Sequence, residues 1–307
     1  AGRSVLVVER GNYAGAKNMT GGRIYTHALA RVFPDFEGSA PLQRRITHEK
    51  ISMAAPDALF TMDFTADELR ESGKDSYAVL RGPFDQWLAE RAEEAGADFI
   101  YGIAVEDLIV RDGRVCGVVA GGDEVEARIT VLADGANSLL AQKAGLADDV
   151  PLPCQMAVGA KETIALPPSV IEDRFLCAPG EGAAWMFAGD CTKGRVGGGF
   201  LYTNDDSISL GLVATLSDLA AGDVPIYQML EDFKQRADIA PLVKGGELVE
   251  YSGHLVPEGG LAMVPRLYGD GVLVCGDAAM LCMNLGYSVR GMDFAVSSGD
   301  LAADAVM

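Results

Sequence analysis

Three short apolar runs along the chain each lead into an acidic residue. Ser4–Val8 is followed by Glu9, Arg128–Ala133 by Asp134, and the run Gly271–Gly276 by Asp277. Continuous apolar runs of this length predict strands buried on both faces, as in a parallel sheet. The acid after each strand then lies at the carboxyl edge, where open α/β sheets bind their ligands. Phe84, Trp87, Leu88, Ala92 and Ala95 recur at helical spacing and predict a helix over Pro83–Ala95, stopped by Gly96. Val105–Val110, Val115–Ala120 and Val125, separated by turns at Asp112-Gly113 and Gly121-Gly122-Asp123, predict an antiparallel meander that leads back to the sheet.

From about Pro153 to Pro265 the pattern changes to alternation, with strands over Arg195–Thr203 and Ser207–Thr215 and a helix near Ile226–Arg236. Ile46–Phe64 reads as a hairpin joining the same sheet from an earlier point in the chain. The expected fold is α/β, in two parts. A discontinuous Rossmann-like dinucleotide-binding domain, with a parallel sheet and the meander, takes residues 1–45, 65–152 and 265–307. A substrate-facing domain with an antiparallel sheet takes 46–64 and 153–264. Ala1-Gly2-Arg3 reads as the end of a crossover helix, so a first strand with its glycine-rich loop is expected upstream.

Composition narrows the function. The chain has 307 residues, 49% hydrophobic and 22% charged, and no run reaches the roughly 20 apolar residues of a spanning helix. A net charge of −19 repels phosphate backbones and anionic headgroups, so nucleic acid is not an expected partner. Ala1–Glu9 reads as a strand without a signal-peptide pattern, so a cytoplasmic location is expected, with any contact with the membrane face peripheral. Six cysteines without a C-x-x-C pair, and His27, His48 and His254 without ligand spacing, point to no metal site. The cysteines read as mostly buried thiols, and the histidines as surface or structural residues. Ser288 lacks the final glycine of a nucleophile elbow, and Gly197–Gly199 precedes a strand and suits a bend better than a phosphate loop.

The chemistry therefore concentrates at the strand ends. A carboxylate such as Glu9, ending a strand of a dinucleotide-binding sheet, accepts hydrogen bonds from ribose hydroxyls. Asp134-Gly135, with Ser138 opening a helix, makes a tight turn whose amides can meet phosphate. Gly276-Asp277-Ala278 places a carboxylate within reach of a ribityl hydroxyl, among neighbours small enough for backbone to approach a pyrophosphate. After Arg290, Gly291 and Met292 open a second helix, whose electropositive end suits the negative charge a flavin gathers on reduction.

In order and spacing, Glu9-Arg10, the Asp134-Gly135 turn and the Gly276-Asp277 segment resemble the FAD-binding fingerprint of the p-hydroxybenzoate-hydroxylase-like flavoproteins. The segments 15–22 (GAKNMTGG), 229–234 (MLEDFK) and 283–293 (MNLGYSVRGMD) resemble the FixC-like flavoproteins, relatives of electron-transfer-flavoprotein:quinone oxidoreductase. The resemblance implies FAD as cofactor and electron-transfer flavoprotein subunits as donors. It implies quinone as acceptor, and a separate ferredoxin-like iron-sulfur subunit in place of a cluster in this chain. It places Lys17, Asn18, Gly21 and Gly22 in a loop near the isoalloxazine, Arg81 against FAD and the Val105 backbone at the adenine. Catalysis would be flavin-mediated, with no obligatory acid or base. A geranylgeranyl-reductase-like or aromatic-hydroxylase-like flavoenzyme would share most of these motifs, and a non-catalytic scaffold is a reading of another class.

Overall fold

The computed structural model describes residues 3–19, 21–147, 150–285 and 289–307. Ser288 and the centre of the segment 283–293 lie outside them, as do Ala1 and Gly2. The strands in chain order begin with β1 (Val5–Glu9), β2 (Gly22–Tyr25), β3 (Leu42–Ala54), β4 (Leu59–Phe64), β5 (Ser76–Val79) and β6 (Ala97–Tyr101). There follow β7 (Val105–Arg111), β8 (Arg114–Ala120), β9 (Asp123–Glu126), β10 (Thr130–Leu132), β11 (Met156–Ala165) and β12 (Glu181–Gly189). The last are β13 (Gly197–Thr203), β14 (Ser207–Thr215), β15 (Glu247–Pro257), β16 (Tyr268–Gly269) and β17 (Val272–Val274). A further pair, Met283–Asn284 with Val289–Arg290, precedes the helix Met292–Val306.

The three acid-ended runs form parallel strands, in two separate pairs. β1 runs beside β6, with Glu9 opposite Tyr101, and β10 runs beside β17, with Leu132 opposite Val274. Val5 and Leu6 on β1 and Val131 on β10 are exposed, so each pair carries apolar side chains to the surface. The meander forms as read, β7–β8–β9, and joins Leu108 and Val115 to the core around Leu132, Val272 and Val274. The helix is Arg81–Glu94, with Phe84 and Trp87 buried against Ile24, Leu29 and Val79.

The second sheet is larger than the alternating region alone. Its order is β15-β11-β14-β13-β12-β3-β5-β2, with β4 on β3, so β2 and β5 are hydrogen-bonded into it although they fall within 1–45 and 65–152. The boundary expected at 45/46 falls inside β3, a single 13-residue strand. The hairpin expected over Ile46–Phe64 is β3–β4, paired from Glu49 opposite Phe64 to Ala54 opposite Leu59.

Strand alternation gives this sheet two unlike faces. Ala160, Ile164, Ile208, Leu210 and Leu212 point to one side and pack with Phe175, Met229, Leu230 and Phe233 from the helices Pro168–Phe175 and Ile226–Lys234. The residues between them form the other face: Lys161 is opposite Gly211 and Ser252, and Thr163 is opposite Ser209 and Glu250. That face, polar here but apolar around Met186, Phe200, Tyr202 and Val213, looks onto the loop after β1, where Met19 meets Gly159 and Gly21 meets Lys161 and Ser209. Gly197, at φ +145°, starts β13 where a Cβ would lie 2.0 Å from the Val213 carbonyl oxygen, which makes it the strand bend expected of it.

Candidate functional site

Glu9 is half-buried and accepts the Gly11 amide on Oε1 at 2.6 Å; among the described residues Oε2 has no partner. A Cβ at Gly11 would stand 3.0 Å from that Oε1, so glycine lets the chain wrap the carboxylate. The loop then passes Gly15, whose Cβ position is 3.0 Å from the Arg81 carbonyl oxygen. Arg81 holds Asp85 through Nε at 2.8 Å and a terminal nitrogen at 2.9 Å, and the Asn18 side chain donates to the same Asp85. Arg10 and Lys17 are exposed. Val105 opens β7 half-buried, opposite Ala120.

Parallel pairing in register brings the chain out of β10 and β17 at one end, toward Asp134 and Gly276. Gly135 at φ +84° makes the turn, and Asp134 Oδ2 accepts the Leu140 amide at 3.3 Å. Ser138 does not cap the short helix behind it. Its hydroxyl donates instead to the Ala278 carbonyl at 2.8 Å and ties the two strand ends together.

Asp277 is the centre of the cluster. Its carboxylate is 4.0 Å from His254 Nε2, and burial raises its pKa, with His254 and Arg81 pulling the other way. Burial likewise lowers the pKa of His254, which by its lack of ligand spacing reads in the sequence as a surface or structural residue. Ala278 and Ala279 are fully buried, and the Gly276 amide donates to Ser298 Oγ at 2.9 Å in the Met292–Val306 helix. A Cβ at Gly291, at the start of that helix, would lie 3.5 Å from Asp277 Oδ1, and Gly22 lies against the Met292 methyl group.

Further along the polar sheet face is a cavity of about 480 Å³, lined by Tyr13, Gly82, Pro83, Thr163 and Glu250 among others. The buried Thr163 hydroxyl has no partner among the described residues. Lys161 is the other residue missed in the sequence: it is fully buried, and desolvation pulls its ammonium down to about 7 against the attraction of Glu250. Its only sequence signal was a charged pair, Lys161-Glu162, inside a strand.

Chemically, these strand ends offer groups of the kind that could hold a dinucleotide. Glu9 and Asp277 offer carboxylate oxygens to hydroxyls, two glycines with positive φ (Gly135 and Gly276) lead the chain round the strand ends, and Ala278 and Gly291 keep side chains out of the way. No family model matches the chain. It is 54% identical over 306 residues to protein FixC of Escherichia coli K12, covering 100% of this chain and 71% of that protein. The chain belongs to the FixC family. Another member, the probable electron transfer flavoprotein-quinone oxidoreductase YdiS of Escherichia coli K12, is 52% identical over 309 residues with the same coverage. Among solved structures, the FixC-family fold is shared with a geranylgeranyl bacteriochlorophyll reductase-like protein from Thermoplasma acidophilum. The TM-score there is 0.76 at 18% identity, over 98% of this chain and 71% of that one. The myxobacterial chondrochloren halogenase CndH, an FAD-dependent halogenase, aligns with a TM-score of 0.69 at 17% identity, over 96% of this chain and 66% of its own.

The cysteines are all free: Cys177, Cys191 and Cys275 are buried, Cys116 and Cys282 half-buried, and Cys154 exposed. Among the described residues no helix is long and apolar enough to cross a membrane.

Proposed function

We propose that this FixC-family protein is an FAD-dependent oxidoreductase that takes electrons from a partner electron-transfer flavoprotein. It passes them to quinone, to a separate ferredoxin-like iron-sulfur subunit, or to both. The observation that carries the cofactor is the Asp277 cluster, with His254, Arg81 and Gly291 at the start of the Met292 helix near one carboxylate, and Gly22 against Met292. In this reading Glu9 holds the adenosine ribose, with Arg10 beside it and the Val105 backbone at the adenine. Asp134, Gly135 and Ser138 shape the phosphate turn. Gly276, Asp277 and Ala278 meet the ribityl-pyrophosphate part, and Arg81 neutralises charge there. Lys17, Asn18, Gly21, Gly22, Gly291 and Met292 border the isoalloxazine. FAD, when bound, supplies the electron chemistry; the protein binds, orients and shields it.

Quinone as acceptor is supported by the name borne by YdiS. Peripheral contact with the cytoplasmic face of a membrane is supported by β4, where Phe60, Met62 and Phe64 are all more than half exposed and alternate along one face. Met53, directly opposite Phe60, extends the stripe.

The test is stopped-flow reduction of the full-length protein. Reduction of its flavin by reduced electron-transfer flavoprotein, with negligible reduction by NAD(P)H alone, is the expected result. Rapid reduction by NAD(P)H followed by hydroxylation of an aromatic compound would replace this reading with the hydroxylase one. Saturation of an isoprenoid double bond would replace it with the reductase one. A pure, folded and colourless protein without FAD affinity would leave the scaffold.

A further inference from the structure

Lys161 lies in the polar face of the large sheet, beneath the loop that precedes β2. Its Nζ donates to the Gly21 carbonyl oxygen at 3.5 Å, and among the described residues no carboxylate comes within ion-pair distance of it. The adjacent Glu162 cannot serve, because alternation turns it to the opposite face, where Lys234 takes it at 2.8 Å. A fully buried ammonium with one long hydrogen bond is costly, and an apolar chain of equal length would fill the space without that cost. The loop is shaped to it. Gly21 has φ +79°, and a Cβ there would lie 2.7 Å from Lys161 Nζ and 2.4 Å from Ser209 Oγ. The next residue, Gly22, abuts Met292, so the turn is held between the lysine and the helix that starts at Met292.

We propose that Lys161 is a positioning residue of the flavin site, a buried cation that fixes the Gly21–Gly22 turn and, while protonated, stands behind it as a positive charge favouring the reduced cofactor. The inference rests on the FAD reading above. Two electrons from the partner flavoprotein, with uptake of one proton from solvent, leave FAD with one more negative charge. Lys161 gives up no proton in that step. Its contribution is Coulombic, and it acts from the sheet side of the turn, while the Met292 helix contributes its positive end from the other.

The experiment is a reductive titration with dithionite at pH 6 of the full-length flavin-loaded protein and of Lys161→Met, Lys161→Gln and Lys161→Arg. Midpoints are compared among the variants that retain flavin. The two neutral variants shift the reduced-to-oxidised equilibrium toward oxidised flavin by roughly tenfold, the order of effect of removing a unit charge from a partly buried site. Arg restores most of the wild-type midpoint. Unchanged midpoints in the neutral variants that retain flavin overturn the inference, and should Met not fold, Gln carries the comparison. A folded wild-type protein without flavin is a different failure, that of the cofactor reading itself.

Discussion

Single residues decide this site because its strands supply only places. Asp277 shows the logic: burial raises its carboxyl, and the nearest opposite charges are His254 and Arg81 rather than a tight partner, so it is free to accept a ligand hydroxyl. In the full-length protein Asp277→Ala should weaken FAD about 10- to 100-fold, the worth of one hydrogen bond to a charged group. Flavin fluorescence on titration measures this; unaltered affinity removes Asp277 from the site. Lys161 gives a second residue-scale expectation, in stability. Its pKa falls from 10.5 to about 7 on folding, so between those values the unfolded chain binds more protons than the native one. Stability must then rise with pH across that window, because the burial cost is relieved as the ammonium deprotonates. Subtracting the urea midpoints of Lys161→Met from those of wild type at pH 7, 8 and 9 isolates the slope. A flat difference would mean the amine is solvated. Asp277 was legible in the sequence, because strand, glycine and acid are neighbours there. Lys161 was not, because its meaning depends on a loop some 140 residues away that only the fold lays over it.

At the scale of elements, local pattern carried the reading wherever pairing is local. The meander, the β3–β4 hairpin, β14 and the helices at Arg81 and Ile226 all lie within a few residues of the expected bounds. It failed where partners are remote. β2 and β5 are four-residue strands whose neighbours are each other and β3, and nothing in such short runs names the sheet they join. The same hairpin bears a feature with a consequence of its own, since Phe60, Met62 and Phe64 face outward together while Thr61 and Asp63 are tied to Ser52 and Lys50. If the stripe meets a membrane, Phe60→Ser with Phe64→Ser should cut partitioning onto zwitterionic vesicles at least about tenfold, given roughly 1.5–3 kcal/mol for each fully buried aromatic. The melting temperature should hardly move, because both rings are already in water. Co-sedimentation equal to wild type would show that this face binds no lipid.

Across the whole molecule, the division into a cofactor part and a substrate part is crossed by hydrogen bonds. β2 and β5 lie on the large sheet and also carry Ile24 and Val79 into the core that holds the Arg81 helix, so the two cores share strands. Shared strands cannot belong to one part when it unfolds and remain ordered in the other. The two tryptophans report on the two sides: Trp87 is buried in the helix core, and Trp185 on β12 donates from Nε1 to Ser52 Oγ at 2.7 Å. In the single-tryptophan variants Trp87→Phe and Trp185→Phe, urea transitions followed by fluorescence should therefore coincide in midpoint and slope, as for one cooperative unit. A cofactor side that melts first, with Trp185 still in its native environment, would mean that pairing through β2 and β5 is too weak to couple the parts. The sheet would then be two sheets in energetic terms, and FAD binding would be expected to stabilise only the first transition.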